Sequence, residues 1–305
     1  MKNKILVVGS INMDMVVKTA HIPQPGETML GGVFFMNPGG KGANQAVSVA
    51  RLGGHAAFIG KIGDDLFGKQ STRLFEQEGI DITGICSDPG TPSGIAMITV
   101  DAAGENSIVV APGANARLQP NDVAAALDKQ PDGKILLVQL EIPMETVKYA
   151  AEYAREKGLL VILNPAPAND RVAALLPLAD IITPNESEAA LLSGVQIKDL
   201  AGARQAAEQI AARGVKSVII TLGSQGAALL HNGAFLHIPA PLVEAVDTTA
   251  AGDVFNGALA TALAEGKSLE DAVVFACNAA AIAVTRLGAQ SSIPYRNEVP
   301  FNIIS

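Results

Sequence analysis

Short, continuously apolar runs recur along the chain and alternate with longer stretches of helical periodicity. Lys4–Gly9 (KILVVG), Lys134–Leu140 (KILLVQL), Leu159–Leu163 (LLVIL), Asp180–Thr183 (DIIT) and Ser217–Leu222 (SVIITL) show little apolar–polar alternation. Strands covered on both faces, as in a parallel sheet, have that pattern. Between them Ala43–Leu52, Met144–Lys157 and Leu200–Arg213 read as helices. Each is stopped by glycine just past its last periodic residue: Gly53 and Gly54, Gly158, and Gly214. Two alanine-rich segments, about 252–263 and 269–286, read as helices apolar over much of their surface that pack closely on a sheet. The repeated strand–helix–strand order predicts an α/β fold with a doubly wound, mostly parallel central sheet flanked by helices.

Two segments break the pattern. Residues 13–35 carry two short strand-like pieces around Pro23–Thr28 (PQPGET), and 93–111 form a hairpin with its loop at Asp101–Asn106. In the first strand of that hairpin Ile95 and Met97 lie on one face, and Ala96, Ile98 and Val100 on the other. Both faces are apolar, so both want cover. A small β lid subdomain from about 13–36 and 93–111 is expected, one face closing over a ligand and the other meeting a second copy. The alternative is a strand buried within the main fold. With no repeat, low-complexity tract or linker, residues 1–305 read as a single domain carrying that subdomain.

Composition narrows the function. Of 305 residues 49% are apolar and 17% charged, enough for a substantial core and too apolar for general disorder. A net charge of −8 argues against a nucleic-acid partner, as does an aromatic content of 4% without tryptophan. A small anionic substrate stays open, because a local site can be cationic. Cys86 and Cys277 make no disulfide framework or zinc cluster and fit a reducing compartment. Lys2 and Lys4 precede an apolar run too short for a signal segment, and no apolar stretch approaches about 18 residues. The expectation is a soluble, cytoplasmic protein with no membrane partner.

In an open α/β sheet, ligands bind beyond the carboxyl ends of the strands. Five predicted strands deliver polar or glycine-rich elements there: Asn12 and Asp14, Glu141, Asn164, Asn185 with Glu188, and Gly223–Gly226. Each alone is weak, since loops are polar anyway; together they point to a large polar-ligand site. Asn12 and Asp14 share one face of an extended segment, and amide plus carboxylate suit vicinal hydroxyls or, equally, an Asx turn. Gly39–Ala46 (GGKGANQA) opens a helix but is not a Walker A loop, because Gly42 follows Lys41. Its glycines admit close approach to the backbone, and Lys41, Asn44 and Ser48 share a helix face. In Ala245–Ala260, residues Ala250, Ala251 and Gly252 run into a helix whose N-terminal N–H groups favour an anion. Asp253 in that first turn either stabilises the helix end or accepts a proton from a substrate hydroxyl during phosphoryl transfer. Asn185 and Glu188, three apart, suit a helix cap or a metal-bound water network.

These segments resemble the ribokinase family of carbohydrate kinases. GSINMD (Gly9–Asp14), PGET (Pro25–Thr28), GGKGANQA, NPAPA (Asn164–Ala168), PNESE (Pro184–Glu188), TLGSQG (Thr221–Gly226) and DTTAAGD (Asp247–Asp253) follow the family's order, from Val8 to about Tyr295. The resemblance implies a ribokinase-like fold and phosphoryl transfer from ATP to the 5-hydroxyl of ribose, with Mg²⁺ and an activating monovalent cation, typically K⁺. It implies Asp253 as general base and Ala250, Ala251 and Gly252 as the anion hole for the γ-phosphate. Asn12, Asp14, Gly40, Lys41, Asn44 and Glu141 match sugar-binding positions, with Asp253 completing that set. Asn185, Thr221, Leu222, Gly223, Ser224, Gln225, Gly226 and Gly252 match nucleotide positions, and Cys277 stands where relatives often carry Asn or His near the adenine. Asn185 and Glu188 match a motif tied to Mg²⁺ and phosphate. Asp247, Thr249, Ala283, Arg286, Gly288 and Ser292 match the monovalent-cation site, supplied largely by backbone oxygens. The β subdomain matches a lid that often makes a homodimer. The family's usual glycine opening the anion hole is Ala250 or Ala251 here, depending on register.

Three other readings compete. A kinase of this fold acting on deoxyribose or another sugar would have an almost identical site. A non-catalytic sugar- or nucleotide-binding regulator would be expected to lose Asp253 or Gly252, and both are present. A nicotinamide-dependent oxidoreductase would want G-x-G-x-x-G after the first strand, which Gly9-Ser10-Ile11 does not provide.

Overall fold

The computed structural model describes residues 3–300; Met1, Lys2 and the last five residues lie outside that range. The elements in chain order are β1 (Lys4–Val8), β2 (Asn12–Lys18), β3 (Val33–Gly39), α1 (Lys41–Arg51), β4 (His55–Gly63), α2 (Leu66–Gln77), β5 (Asp81–Asp88), β6 (Gly94–Val100) and β7 (Asn106–Ala111). They continue with α3 (Pro120–Leu127), β8 (Gly133–Val138), α4 (Met144–Glu156), β9 (Leu160–Leu163), β10 (Ile181–Ile182), α5 (Glu186–Ser193), α6 (Leu200–Ala211) and β11 (Ser217–Thr221). Last come β12 (Ala227–His231), β13 (Ala234–Ile238), α7 (Ala251–Ala264) and α8 (Leu269–Ala283).

Nine strands form the central sheet in the order β13-β12-β11-β10-β9-β8-β1-β4-β5. Pairing is parallel from β5 through to β11; only the β11-β12 and β12-β13 pairs are antiparallel. The missing alternation in the strands has its cause in two cores. Ile5, Val7, Phe58, Ile135 and Leu137 pack on one face with residues of α1, α7 and α8. Leu6, Val8, Ile59, Leu136 and Val138 pack on the other with residues of α3, α4, α5 and α6. Neighbouring strand residues therefore both vanish from solvent, on opposite sides.

The two exceptional segments make a second sheet, β3-β2-β6-β7, in which β2 and β6 are parallel and the outer pairs antiparallel. The alternative of a 93–111 strand inside the main sheet is excluded. Its strands begin one residue earlier than the pattern suggests, at Asn12, and β3 runs on through Pro38 to Gly39. Met15 stands opposite Met36 and Met97, and Met97 opposite Val109, on one face. Much of this face is open to solvent: Phe34 is 58% exposed, Met97 59% and Val109 66%.

Helix boundaries shift where tertiary partners replace local signals. The helix expected to open at Ala43 opens at Lys41, with Gly40 at its N-cap at φ 91°. No side chain of the helix caps it. Instead the N–H of Lys41 donates to Glu141 Oε2 (3.0 Å), that of Gly42 to Ser10 Oγ (3.4 Å) and that of Ala43 to the Ser10 carbonyl (2.9 Å). Residues distant in sequence thus satisfy the orphan donors of its first turn. The last helix stops at Ala283, short of Arg286.

Helices α1 and α7 cross closely because one partner is glycine. A Cβ on Gly257 would sit 2.4 Å from the Ser48 side chain and 2.9 Å from the Gln45 carbonyl oxygen. Gly257→Ala should lower stability by about 1–2 kcal/mol, overpacking outweighing the alanine helix preference of about 1 kcal/mol. Urea denaturation checks this; an unchanged or raised midpoint would show that the two helices can separate freely.

Candidate active site

The carboxyl ends of β1, β8 and β9, the start of β2 and the N-termini of α1 and α7 meet around Asp253. Its carboxylate is buried, and each oxygen has an amide donor from α1: Asn44 Nδ2 to Oδ2 at 2.9 Å and Gln45 Nε2 to Oδ1 at 3.0 Å. Burial raises the Asp253 pKa, while Lys41, Asn44 and Gln45 oppose that rise. Each oxygen keeps a lone pair after one such bond.

Lys41 lies among four carboxylates. Burial works against its charge, but Asp253, Glu141, Glu188 and Asp14 outweigh it and hold its pKa above the ordinary value. Asp14 feels the converse. Burial first, then Glu141 and Asp253, push its pKa up to about 6, with Lys41 pulling against them. Glu188 is also raised, by burial, against the pull of the Asn185 N–H and Lys41. The cluster carries more negative than positive charge, so a polyphosphate ligand needs further positive charge to enter it.

The remaining sugar-site candidates are placed as follows. Asn12 and Asp14 share one face of β2, and Asn12 Oδ1 accepts from Asn115 Nδ2 (2.9 Å). Asn115 also brackets the Ile11 backbone, accepting from its N–H at 2.9 Å and donating to its carbonyl at 2.8 Å. Gly39 leaves room for the Asp14 carboxylate, which a Cβ there would meet at 2.2 Å. Gly40 lies against the Ser10 carbonyl and the Asn12 N–H. Glu141 is already engaged: its Oε2 accepts from Ser10 Oγ at 2.6 Å as well as from the Lys41 N–H. Asn44 Oδ1 is buried without a partner, an acceptor open to a ligand hydroxyl.

On the other side of the first turn of α7 lies a cavity of about 620 Å³, lined by Asn185, Thr221, Gly223, Ser224, Gly226, Ala251, Gly252 and Cys277 among others. Its size suits a small organic ligand. Leu222 and Gln225, expected with this group, are not in the lining: Leu222 is buried in the core, and the Gln225 carbonyl accepts from His237 Nε2. Burial pushes the Cys277 thiol up to about 12, so it stays neutral. Ala250, at φ 62°, takes the left-handed conformation at the N-cap of α7, a backbone state that favours glycine. The Ala251 N–H closes onto the Thr248 carbonyl, whereas Gly252 lines the cavity with a first-turn N–H and nothing within 4 Å of where its Cβ would be.

Asn185 and Glu188 form a reciprocal capping box on α5, Oδ1 of Asn185 accepting from the Glu188 N–H and Oε2 of Glu188 from the Asn185 N–H. Asp247 joins two loops, accepting from the N–H of Thr249 (2.9 Å) and of Gly288 (2.8 Å). Burial works upward on Asp247, but these bonds outweigh it and hold its pKa low. Ala283 and Arg286 sit together at the end of α8; the guanidinium is taken by Glu298, and the buried Ser292 hydroxyl donates to the Ala289 carbonyl. Side chains that the sequence did not single out are Gln45, Gln139, Ser10, Asn115 and Asn256. Gln45, Asn256 and Gln139 have a signal, a polar residue in or at the end of a buried helix or strand, whereas Ser10 in a loop and Asn115 in a short 3-10 turn have none.

A family profile described as pfkB family carbohydrate kinase matches residues 2–296. The chain belongs to that family. It is 46% identical over 298 residues to a ribokinase of Haemophilus influenzae, covering 98% of this chain and 97% of the relative. It is 37% identical over 291 residues to a deoxyribokinase of Salmonella typhi, covering 95% of each. Among solved structures, Arabidopsis thaliana ribokinase complexed with ribose and ATP superposes with a TM-score of 0.89 at 33% identity, covering 98% of this chain and 97% of that one. The chain is thus a sugar-phosphorylating enzyme of ribokinase-like α/β fold.

The raised Asp14 pKa has a consequence for stability. The folded state binds the extra proton between the ordinary carboxylate value of 3.8 and about 6, so stability falls as pH rises through that window. Asp14→Asn should therefore stabilise the ligand-free protein at pH 7 by up to about 3 kcal/mol relative to wild type, with little difference at pH 4. Denaturation curves at both pH values test this; equal stabilisation at the two would refute the electrostatic cause.

Proposed function

We propose that this kinase transfers the γ-phosphoryl group of ATP to the 5-hydroxyl of D-ribose, giving ribose 5-phosphate and ADP. The observation that carries the reading is the buried Asp253 carboxylate. On one side it adjoins Asp14, Lys41 and Asn44; on the other, the N-terminus of α7 opens on the 620 Å³ cavity. The named relatives supply the sugar.

In this reading the sugar lies against Asn12, Asp14, Gly40, Lys41, Asn44 and Glu141, and the nucleotide occupies the cavity, its base beside Cys277. Asp253 accepts the proton of the 5-hydroxyl as its oxygen bonds to the γ-phosphorus and the bond to the β-phosphate oxygen breaks. Lys41 and the first-turn N–H of Gly252 stabilise charge on the transferred group. Asp253→Asn should lower kcat by roughly 10²–10⁴. Activity within about twofold of wild type would remove Asp253 from the base role.

The residues fit Mg²⁺ brought in with the nucleotide. Among the described residues no three His, Cys, Asp or Glu side chains cluster as a metal cage, and both Asn185 and Glu188 already hold each other's backbone. Glu188 and Asn185 would hold the ion's water shell rather than the ion, the usual habit of Mg²⁺. When bound it neutralises phosphate charge that the acidic cluster otherwise repels. Asp247, Thr249, Ala283, Arg286, Gly288 and Ser292 would hold a monovalent cation such as K⁺; in support, Asp247 ties the Thr249 and Gly288 loops together and its N–H donates to the Val284 carbonyl at the end of α8.

We further propose that the second sheet is a lid over the sugar and that its exposed apolar face joins two copies. Asp14 on β2, coupled to Asp253, ties one face to the site, and Phe34, Met36, Met97 and Val109 leave the other open. Replacing Met97 and Val109 together by Glu should convert a dimer to monomer in sedimentation; an unchanged mass would move the interface elsewhere. The deoxyribokinase relative keeps deoxyribose as the second reading, and cytoplasmic location follows the same expectation. Turnover of ribose, deoxyribose and fructose with Mg²⁺, with and without K⁺, decides among substrates. A kcat/KM highest for ribose and raised by K⁺ supports the first reading and the cation site together.

A further inference from the structure

Beneath Asp253 lies a set of buried amides outside the residues assigned above to sugar or nucleotide. Gln139, at the end of β8, and Gln45, in the first turns of α1, are both 0% exposed. Gln139 Nε2 donates to Gln45 Oε1 at 2.6 Å. Asp253 and Asn164 present acceptor oxygens, Asn164 being fixed by its Nδ2 bond to the Thr183 carbonyl, so they settle which end of the Gln45 amide faces them, and the Gln139 bond holds the oxygen on the far side. With its oxygen toward Gln139, Nε2 points at Asp253 Oδ1 (3.0 Å) and at Asn164 Oδ1 (3.1 Å). Gln139 Oε1 has no partner and lies against Gly9, where a Cβ would come within 2.2 Å of it. A buried carbonyl without a partner is costly, so the arrangement persists against its own local preference.

We infer that Gln139 and Gln45 are positioning residues for phosphoryl transfer: Gln139 fixes the orientation of the Gln45 amide, and Gln45 in turn holds the Asp253 carboxylate ionised and in one rotamer. This rests on Asp253 being the base. Asp253 meets Lys41, Asn44 and Gln45 from α1, Asp14 from β2, Glu141 beyond β8 and Glu188 from α5. Of these, the three carboxylates favour its protonated form. Lys41 and the amide donors favour the ionised form, so removing a donor moves the balance toward the proton. Losing Gln139 acts indirectly. A freed Gln45 amide can turn its oxygen to Asp253, and two acceptors face each other unless the carboxyl is protonated.

Gln45→Met and Gln139→Met keep volume and length while deleting the polar ends. For each variant that retains the wild-type melting profile, kcat should fall about tenfold with KM for ribose within about twofold. The acid limb of the kcat–pH profile should move to higher pH by about one unit, because less Asp253 is ionised at a given pH. The double variant should lose no more than Gln45→Met alone, since both act along one path. A Gln139→Met enzyme with wild-type kcat and acid limb overturns the inference, as does additive loss in the double variant or a loss confined to KM. Asp253→Asn measured alongside separates the two readings. If it retains kcat, the base assignment fails; if it is inactive while both methionine variants behave as wild type, only the positioning role fails.

Discussion

The buried carboxylate of Asp253 is the constraint around which the rest is arranged. An ionised group out of water is costly unless hydrogen bonds and an opposite charge compensate it. Here Asn44, Gln45 and Lys41 do so, and all three belong to the first turns of α1. The position of α1 is therefore as critical as that of Asp253. That position depends on Ser10 and Glu141, which take up the N–H groups that a helix opening on glycine cannot cap for itself. Glycines at 42 and 257 let the helix sit against β1 and α7 without clash.

Charge follows from the same arrangement. Four carboxylates surround one lysine, and burial, with repulsion from Glu141 and Asp253 added to it, raises Asp14 to about 6. Such a cluster destabilises the empty protein. A ligand that supplies hydrogen-bond donors or positive charge to this cluster relieves that cost, so binding and stability are linked through these groups. The nine-stranded sheet supplies the rigid part, with strand ends from β1, β8 and β9 meeting at one edge. The small sheet supplies Asp14 from a separate layer, so the acidic cluster around Lys41 is shared between the two sheets.

Much of this was legible in the chain. Unbroken apolar runs named β1, β8, β9, β10 and β11 to within two residues, because burial on both faces erases alternation, but the parallel strands β4 and β5 were not singled out. Asp253 behind Ala250–Gly252, and Asn44 and Lys41 behind paired glycines, stood out because small residues and a charge at a helix start are few in kind. Other residues were not legible. Gln45 and Gln139 are 94 positions apart and meet at 2.6 Å only because β8 lies beside β1. Leu222 and Gln225 fall in the nucleotide-like motif, yet one turns into the core and the other offers only its carbonyl to His237.

The sequence by itself determined the strand–helix order, the two classes of sheet, the family and the short list of polar residues at strand ends, because each depends on local periodicity or on residues close together in the chain. Tertiary structure alone decided that Glu141 serves the N-terminus of α1, that Ala250 rather than Ala251 takes the left-handed turn, and that Lys41 stays charged among four acids. Those outcomes depend on distances between segments as far apart as Asn44 and Asp253. Folding sets such distances, and no local pattern encodes them.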